Sequence, residues 1–462
     1  MAQMTICSDS ADTQTAPSMA GLSLRSSFFW ALTGNLVYAA CQWGMIVALA
    51  KLGSSFMVGQ FSLGLAIATP VLMFTNLQLR SVQATDAMHQ YSFQEYLGLR
   101  MTTTLVGVIA IACITWIGGY QRVTAMVILA VGCAKGFEAL SDIFYGLFQL
   151  NDRLDQTATS MMLRGILSMI GLGLGLYLTR QVFWGALALA LIWMLVLISF
   201  DARRSRLFLP PIKPIPLKQD WKYRWAKVRP RFSFRHQWKL VRLTFPLGIV
   251  MMLVSLNLNM PRYFVHSYMG EHQLGIFSAL AYATVALTLV ADAMGHSAIP
   301  GMARLFASGD IVAFRTLLLK LVAFGVLLGT VGAILAKFLG HLVLTISYSP
   351  VYAAHAGVFV WLMSAAGVSC AASLFTYGIT ASRSFRIQVP LFALVVGSNA
   401  LACAVLVPVA GLRGAAIAVF VAAVVHLIIA AVVVQHLFST GKKDAACAAA
   451  ANAYYEHWDS GL

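Results

Sequence analysis

Charge is scarce in this chain. Only 10% of its 462 residues are Asp, Glu, Lys or Arg, against roughly 25% in soluble domains. That shortage excludes an ordinary soluble enzyme. Acids are the rarer sign, 16 against 32 Lys and Arg, which leaves a net charge of +16. Cysteine is sparse too: the seven lie almost all inside apolar runs, with no CxxC and no Cys/His spacing. They therefore imply no disulfide framework, zinc site or redox motif, and read as small apolar packing residues. No cofactor or metal is expected. What is abundant is apolar surface: 60% of residues are hydrophobic and the mean hydropathy is +0.79. A chain this apolar along its length has a bilayer as its solvent.

A helix crosses about 30 Å of hydrocarbon in about 20 residues. Twelve apolar segments of that order are present, at 26–49, 56–79, 97–118, 123–147, 158–179, 182–200, 243–268, 274–298, 316–338, 354–380, 388–409 and 413–437. They are too long and too uniformly apolar for the alternating strands of a membrane barrel. An all-α polytopic protein is expected. The first 25 residues are polar with Arg25 as their only cation, so no cleaved signal peptide is expected. With twelve spans both termini share a side, and 25 cations fall on that side, Arg100, Arg164 and thirteen between Arg203 and Arg242 among them. Five fall opposite: Lys51, Arg122, Arg180, Lys337 and Arg413. Lys135 and Arg262 lie within spans. The bias predicts a multi-pass membrane protein with both termini in the cytoplasm.

The expected organisation is an N-terminal tail (1–25), a first six-helix bundle (26–200), a basic linker (201–242), a second bundle (243–437) and a C-terminal tail (438–462). Between Arg203 and Arg242 the linker carries one acid, Asp220, and interleaved aromatics, among them Trp221, Tyr223, Trp225 and Trp238. Such a mixture suits RNA or an anionic leaflet. The membrane surface is the preferred reading, so its expected partner is anionic phospholipid and not nucleic acid.

The halves echo each other. Leu52-Gly53 and Val58-Gly59-Gln60-Phe61-Ser62 match Met269-Gly270 and Leu274-Gly275-Ile276-Phe277-Ser278, at offsets of 217 and 216. Tyr145-Gly146 matches Tyr377-Gly378, and Trp184-Gly185-Ala186 matches Arg413-Gly414-Ala415. Six spans per half make the repeats parallel, related by an axis along the membrane normal, with a cavity between them.

The stretch from Pro246-Leu247-Gly248 through Asn259-Met260-Pro261-Arg262-Tyr263, then Met269-Gly270, Leu274-Gly275-Ile276-Phe277-Ser278 and Ile299-Pro300, carries a resemblance. It resembles the seventh and eighth spans of bacterial polysaccharide repeat-unit flippases of the multidrug/oligosaccharidyl-lipid/polysaccharide exporter superfamily. The resemblance implies a V-shaped pair of six-helix bundles that moves a lipid-linked oligosaccharide to the periplasmic leaflet by alternating access. It also implies a polysaccharide polymerase and glycosyltransferases as pathway partners.

Ionisable residues inside spans are costly and are candidate functional groups. Lys135, Glu138 and Asp142 share a face of span four, where two carboxylates and one ammonium leave an excess acid fit for ion coupling, or else form a structural ion cluster. Asp292, four residues before His296, is a second coupling candidate; the alternative is that both are solvated. Span seven carries Asn257, Asn259, Arg262 and His266, largely on one side. Pro261 removes the donor for the Asn257 carbonyl, so a kink or unwound turn is expected there. Arg262 either snorkels toward Glu271 or grips a diphosphate with its forked donors. Lys135, Asn35, Gln42, Asn259 and His266 complete the candidate substrate contacts. Gly171, Gly173 and Gly175 read as close helix packing.

Three functions compete. A lipid-linked oligosaccharide flippase fits a mixed-charge cavity. A drug or cation antiporter of the same superfamily would need a carboxylate-dominated one. An integral-membrane glycosyltransferase or acyltransferase would need acid or His clusters in its loops, where the outer loops hold only Glu271 as a carboxylate, so no enzyme is expected.

Overall fold

The computed structural model describes residues 24–86, 90–209, 228–382 and 387–459. Backbone in lipid must satisfy its own hydrogen bonds, so the apolar runs become helices. The first half comprises α1 (Leu24–Leu52), α2 (Ser55–Thr75), the short α3 (Leu79–Ala84), α4 (Phe93–Ile117), α5 (Arg122–Leu150), α6 (Leu154–Thr179) and α7 (Val182–Val196), then a π-helical turn at Leu197–Asp201 and α8 (Ala202–Ser205). The second half comprises α9 (Phe234–Ala283), α10 (Val285–Ala307), α11 (Ile311–Ser347), α12 (Pro350–Ala353), α13 (Ala356–Ala381) and α14 (Gln388–Asp459). No strand occurs among the described residues.

Ten helices are long and apolar enough to cross a membrane. Two of them, α9 and α14, each reverse at a single glycine, Gly270 (φ 79°, ψ −176°) and Gly411 (φ 56°, ψ −134°). Positive φ of this kind is open to glycine at no steric cost. With these reversals the chain makes twelve crossings, the eighth being the end of α9 continued by α10. Helix starts are fixed locally: Asp310 accepts from the Ala313 N–H at 2.9 Å, and Glu95 accepts from the Ser92 N–H at 2.9 Å in a capping box. The Gly171 and Gly175 positions of α6 press on Ile192 and on the Gly185 backbone, whereas Gly173 faces open space.

Within the 201–242 stretch, helix persists through Ser205 and resumes at Phe234. Residues 210–227, with most of the linker's aromatics, lie outside the described residues. Helix α14 continues through the expected tail to Asp459.

The halves join where α2 packs along α9. The repeat is visible in this seam. A Cβ on Gly59 would overlap the Glu271 carbonyl oxygen, and one on Gly275 would overlap the Ser55 carbonyl oxygen. Ser55 and Glu271 stand at the same 216-residue offset as Gly59 and Gly275, so one contact occurs twice about a pseudo-twofold axis. The matched Phe61 and Phe277, 1% and 2% exposed, are buried in one shared core.

Candidate functional site

The polar interior of the first half is built on α5. Steps of three and four residues put Lys135, Glu138 and Asp142 on one face, and each finds a partner. Lys135 Nζ lies 2.6 Å from Glu138 Oε2 and over the Trp193 ring; the Tyr38 hydroxyl of α1 donates to Glu138 Oε1 at 2.6 Å. Asp142 is bracketed by Arg80 (3.3 Å) and Arg100 (3.1 Å). A third pair, Arg164 and Asp201, lies at 3.3 Å with both side chains buried. Arg164 also stacks over Tyr145 and Trp193, and the Tyr145 hydroxyl bonds Ser160 at 2.9 Å.

This geometry corrects the sequence reading twice. Asp142 is no spare acid: the seven groups are Lys135, Arg80, Arg100 and Arg164 against Glu138, Asp142 and Asp201, an excess of one positive charge. Arg100 and Arg164, counted on the terminal side, are 0% and 1% exposed inside the bundle. Their positions within spans 97–118 and 158–179 were the available signal. Burial of unpaired charge is prohibitive, so each required an acid that sequence separation concealed. The side chains of Lys135, Glu138, Asp142 and Arg80 retain 22–32% exposure, so the face opens on a crevice and is not sealed.

The second half repeats the plan with different chemistry. The Tyr377 hydroxyl donates to Asp292 Oδ1 at 3.0 Å, and the His296 ring lies 4.9 Å from the Tyr377 ring. In the first half Arg80 stands 5.6 Å over the matched Tyr145; Arg80 and His296 are again 216 residues apart. Asp292 has no cation within ion-pair distance among the described residues; it is half-buried and His296 is exposed.

Two prolines, Pro261 in span seven and Pro70 in span two, release carbonyls that neighbouring spans take up. Pro261 frees the Asn257 carbonyl, and Asn399 Nδ2 of α14 donates to it at 2.9 Å and to Asn257 Oδ1 at 2.8 Å. Of the expected kink or unwound turn, the unwinding is not seen: Gly270 is the residue of α9 with non-helical dihedrals. Pro70 of α2 likewise frees the Ala66 carbonyl, which accepts from the Tyr263 hydroxyl. Arg262 does not reach Glu271. Its Nη1 donates to Asn259 Oδ1 at 2.5 Å and its guanidinium lies 5.5 Å over the Tyr282 ring, with Nε buried and unbonded. Glu271 accepts instead from Thr124, at 2.7 Å. Asn259 donates to the Ser255 carbonyl, and the His266 ring lies 5.7 Å from the Tyr120 ring, tilted by 56°. In α1, Asn35 is exposed and donates to the Ala31 carbonyl, while Gln42 lies half-buried beside the Tyr38 hydroxyl. No contact joins Arg262 to the Lys135 cluster among the described residues; they belong to separate halves.

The halves are closed at the end opposite the termini. Trp43 Nε1 donates to the Tyr348 hydroxyl at 3.0 Å, which donates to the Ala279 carbonyl at 2.9 Å, and Lys51 Nζ donates to the Ile346 carbonyl at 2.7 Å. Burial pushes the Tyr352 hydroxyl beside them up to about 12, so it stays protonated. Helix α1 is buried toward this end (Leu49, 0% exposed) and open toward the other (Leu36, 61%).

No protein-family model matches the chain. Its sequence is similar to the capsular polysaccharide biosynthesis protein CapF of Staphylococcus aureus, 28% identical over 327 residues, 71% of this chain and 78% of that protein. Its fold is similar to an inward-facing multidrug resistance MATE family transporter of the MOP superfamily, with a TM-score of 0.66 and 13% identity over 92% of this chain and 97% of that one. An outward-facing MATE structure matches with a TM-score of 0.60 and 13% identity, over 90% and 95%. The chain thus adopts the two-bundle fold of the MATE transporters.

Proposed function

We propose that this protein is a flippase carrying a lipid-linked oligosaccharide from the cytoplasmic to the periplasmic leaflet by alternating access. The observation that carries the reading is the likeness to a capsular polysaccharide biosynthesis protein over 71% of the chain, set on a transporter fold. The charge balance supports it, because an anionic lipid diphosphate is served by an interior with excess guanidinium. A cavity selecting cationic drugs would be carboxylate-rich, and the first half is not. The cation bias supports an inner-membrane protein with cytoplasmic termini.

Arg262 is the proposed diphosphate contact: its guanidinium is held by Asn259 and Tyr282, is unpaired with any acid among the described residues, and has an unused Nε. The test is Arg262→Ala and Arg262→Lys at matched expression, measuring polymer at the cell surface and lipid-linked intermediate retained inside. The alanine variant should lose surface polymer and accumulate intermediate. The lysine variant should recover part, since a point charge replaces a planar fork. Wild-type polymer in both would remove Arg262 from the substrate path. Undiminished polymer in a null strain would remove the flippase reading itself.

A further inference from the structure

We propose that the terminal end of span six carries a binding pocket for a lipid-borne phosphate. Span six does not simply stop: α7 passes through the π-helical turn Leu197–Asp201 into α8. A π turn inserts a residue and rotates the side chains after it relative to a plain helix, a feature that recurs at functional sites. Here it buries Asp201 against Arg164 while Arg203 and Arg204 project outward and are exposed. Together with Arg206 these arginines line a cavity of about 520 Å³ that Ser199, Phe200 and Leu207 complete.

The lining specifies the ligand's chemistry. Three guanidiniums and one hydroxyl meet there, with no carboxylate among the described lining residues, and the nearest acid in sequence, Asp201, is occupied by Arg164. Forked guanidinium donors match phosphate oxygens. The donors are partly set in advance: Arg204 lies 5.7 Å over the Phe200 ring, and Arg206 Nε donates to the Ala202 carbonyl at 3.2 Å. Leu195 and Ile198 on the helix and Leu207 in the turn after it are all exposed. That apolar margin suits acyl chains and offers nothing to a free phosphate, so a phosphate monoester on a lipid, as in phosphatidic acid, is the proposed ligand. The pocket does not depend on what the protein carries.

The test uses the full-length protein in detergent, with retention of phosphatidic acid and phosphatidylcholine read by native mass spectrometry, and thermal stability as the check on folding. Arg203→Gln/Arg204→Gln is compared with the charge-matched Arg315→Gln/Lys320→Gln, whose side chains are also exposed. Phosphatidic acid retention should fall about five-fold for each pocket guanidinium removed, with phosphatidylcholine retention unchanged and the control pair like the wild type. Equal retention by wild type and the pocket variant, or an equal fall in the control, overturns the site. Stabilisation by inorganic pyrophosphate as large as that by phosphatidic acid overturns a lipid as its source.

Discussion

Gly59 and Gly275 face each other across the boundary between the halves: a side chain on Gly275 would run into the Ser55 carbonyl and the Gly59 nitrogen, and one on Gly59 into the Glu271 backbone. They are the same position of the internal repeat, so the tightest point of the seam lies on the axis that relates the halves. In an alternating-access cycle these spans must part when the far end opens.

A side chain at either glycine should therefore act as a wedge. Gly59→Val and Gly275→Val are each expected to cost about 1–3 kcal/mol of stability through overpacking. Each should also raise labelling of a Ser55→Cys reporter by a membrane-impermeant maleimide. Similar shifts in the two variants are expected from the symmetry; labelling unchanged in both would mean that the seam yields without opening.

Arg164 and Asp201 form a buried pair. Arg164→Met should destabilise the protein by about 3–5 kcal/mol because it strands Asp201. Adding Asp201→Leu should restore most of that loss. Thermal unfolding of the single and double variants measures it, and a double variant no better than the single would refute the pairing.

The proline-released carbonyls make a double-mutant cycle available. Asn399→Leu leaves the Asn257 carbonyl without a donor and should cost about 1–3 kcal/mol. In a Pro261→Ala background the restored N–H supplies that carbonyl within the helix, so the same substitution should cost measurably less. Additive unfolding free energies would show that Asn399 acts elsewhere.

Proton coupling, if present, is expected at Asp292. Asp142 and Glu138 are each held by cations, whereas Asp292 is held by the Tyr377 hydroxyl and has no ion pair among the described residues. Asp292→Asn should remove the dependence of transport on an imposed pH gradient in proteoliposomes, and Glu138→Gln should leave it. The opposite pattern would return the role to α5.

What the sequence made legible was what depends on local pattern: the apolar runs, the Gly-centred reversals, the parallel repeat and the carbonyl that Pro261 orphans. Contacts between distant positions were hidden. Arg100 meets Asp142 across 42 residues and Arg164 meets Asp201 across 37, and no periodicity announces such a pairing. The orphaned Asn257 carbonyl was foreseen, but its partner Asn399 stands 142 residues away; absent that donor, unwinding was the natural expectation. Of the two readings of Arg262, the reach toward Glu271 is not what the structure has: the guanidinium sits over an aromatic ring, which a helical wheel of one span does not reveal.

The reversals at Gly270 and Gly411 bear on how the second half reaches the bilayer. A polar loop between two spans lets the first rest across the lipid while the second is still being made. A lone glycine provides no such pause, since it is too short to cross the headgroup layer and return. Spans seven and eight, and spans eleven and twelve, are therefore expected to enter as finished hairpins, so that biogenesis of this half is counted partly in pairs of helices.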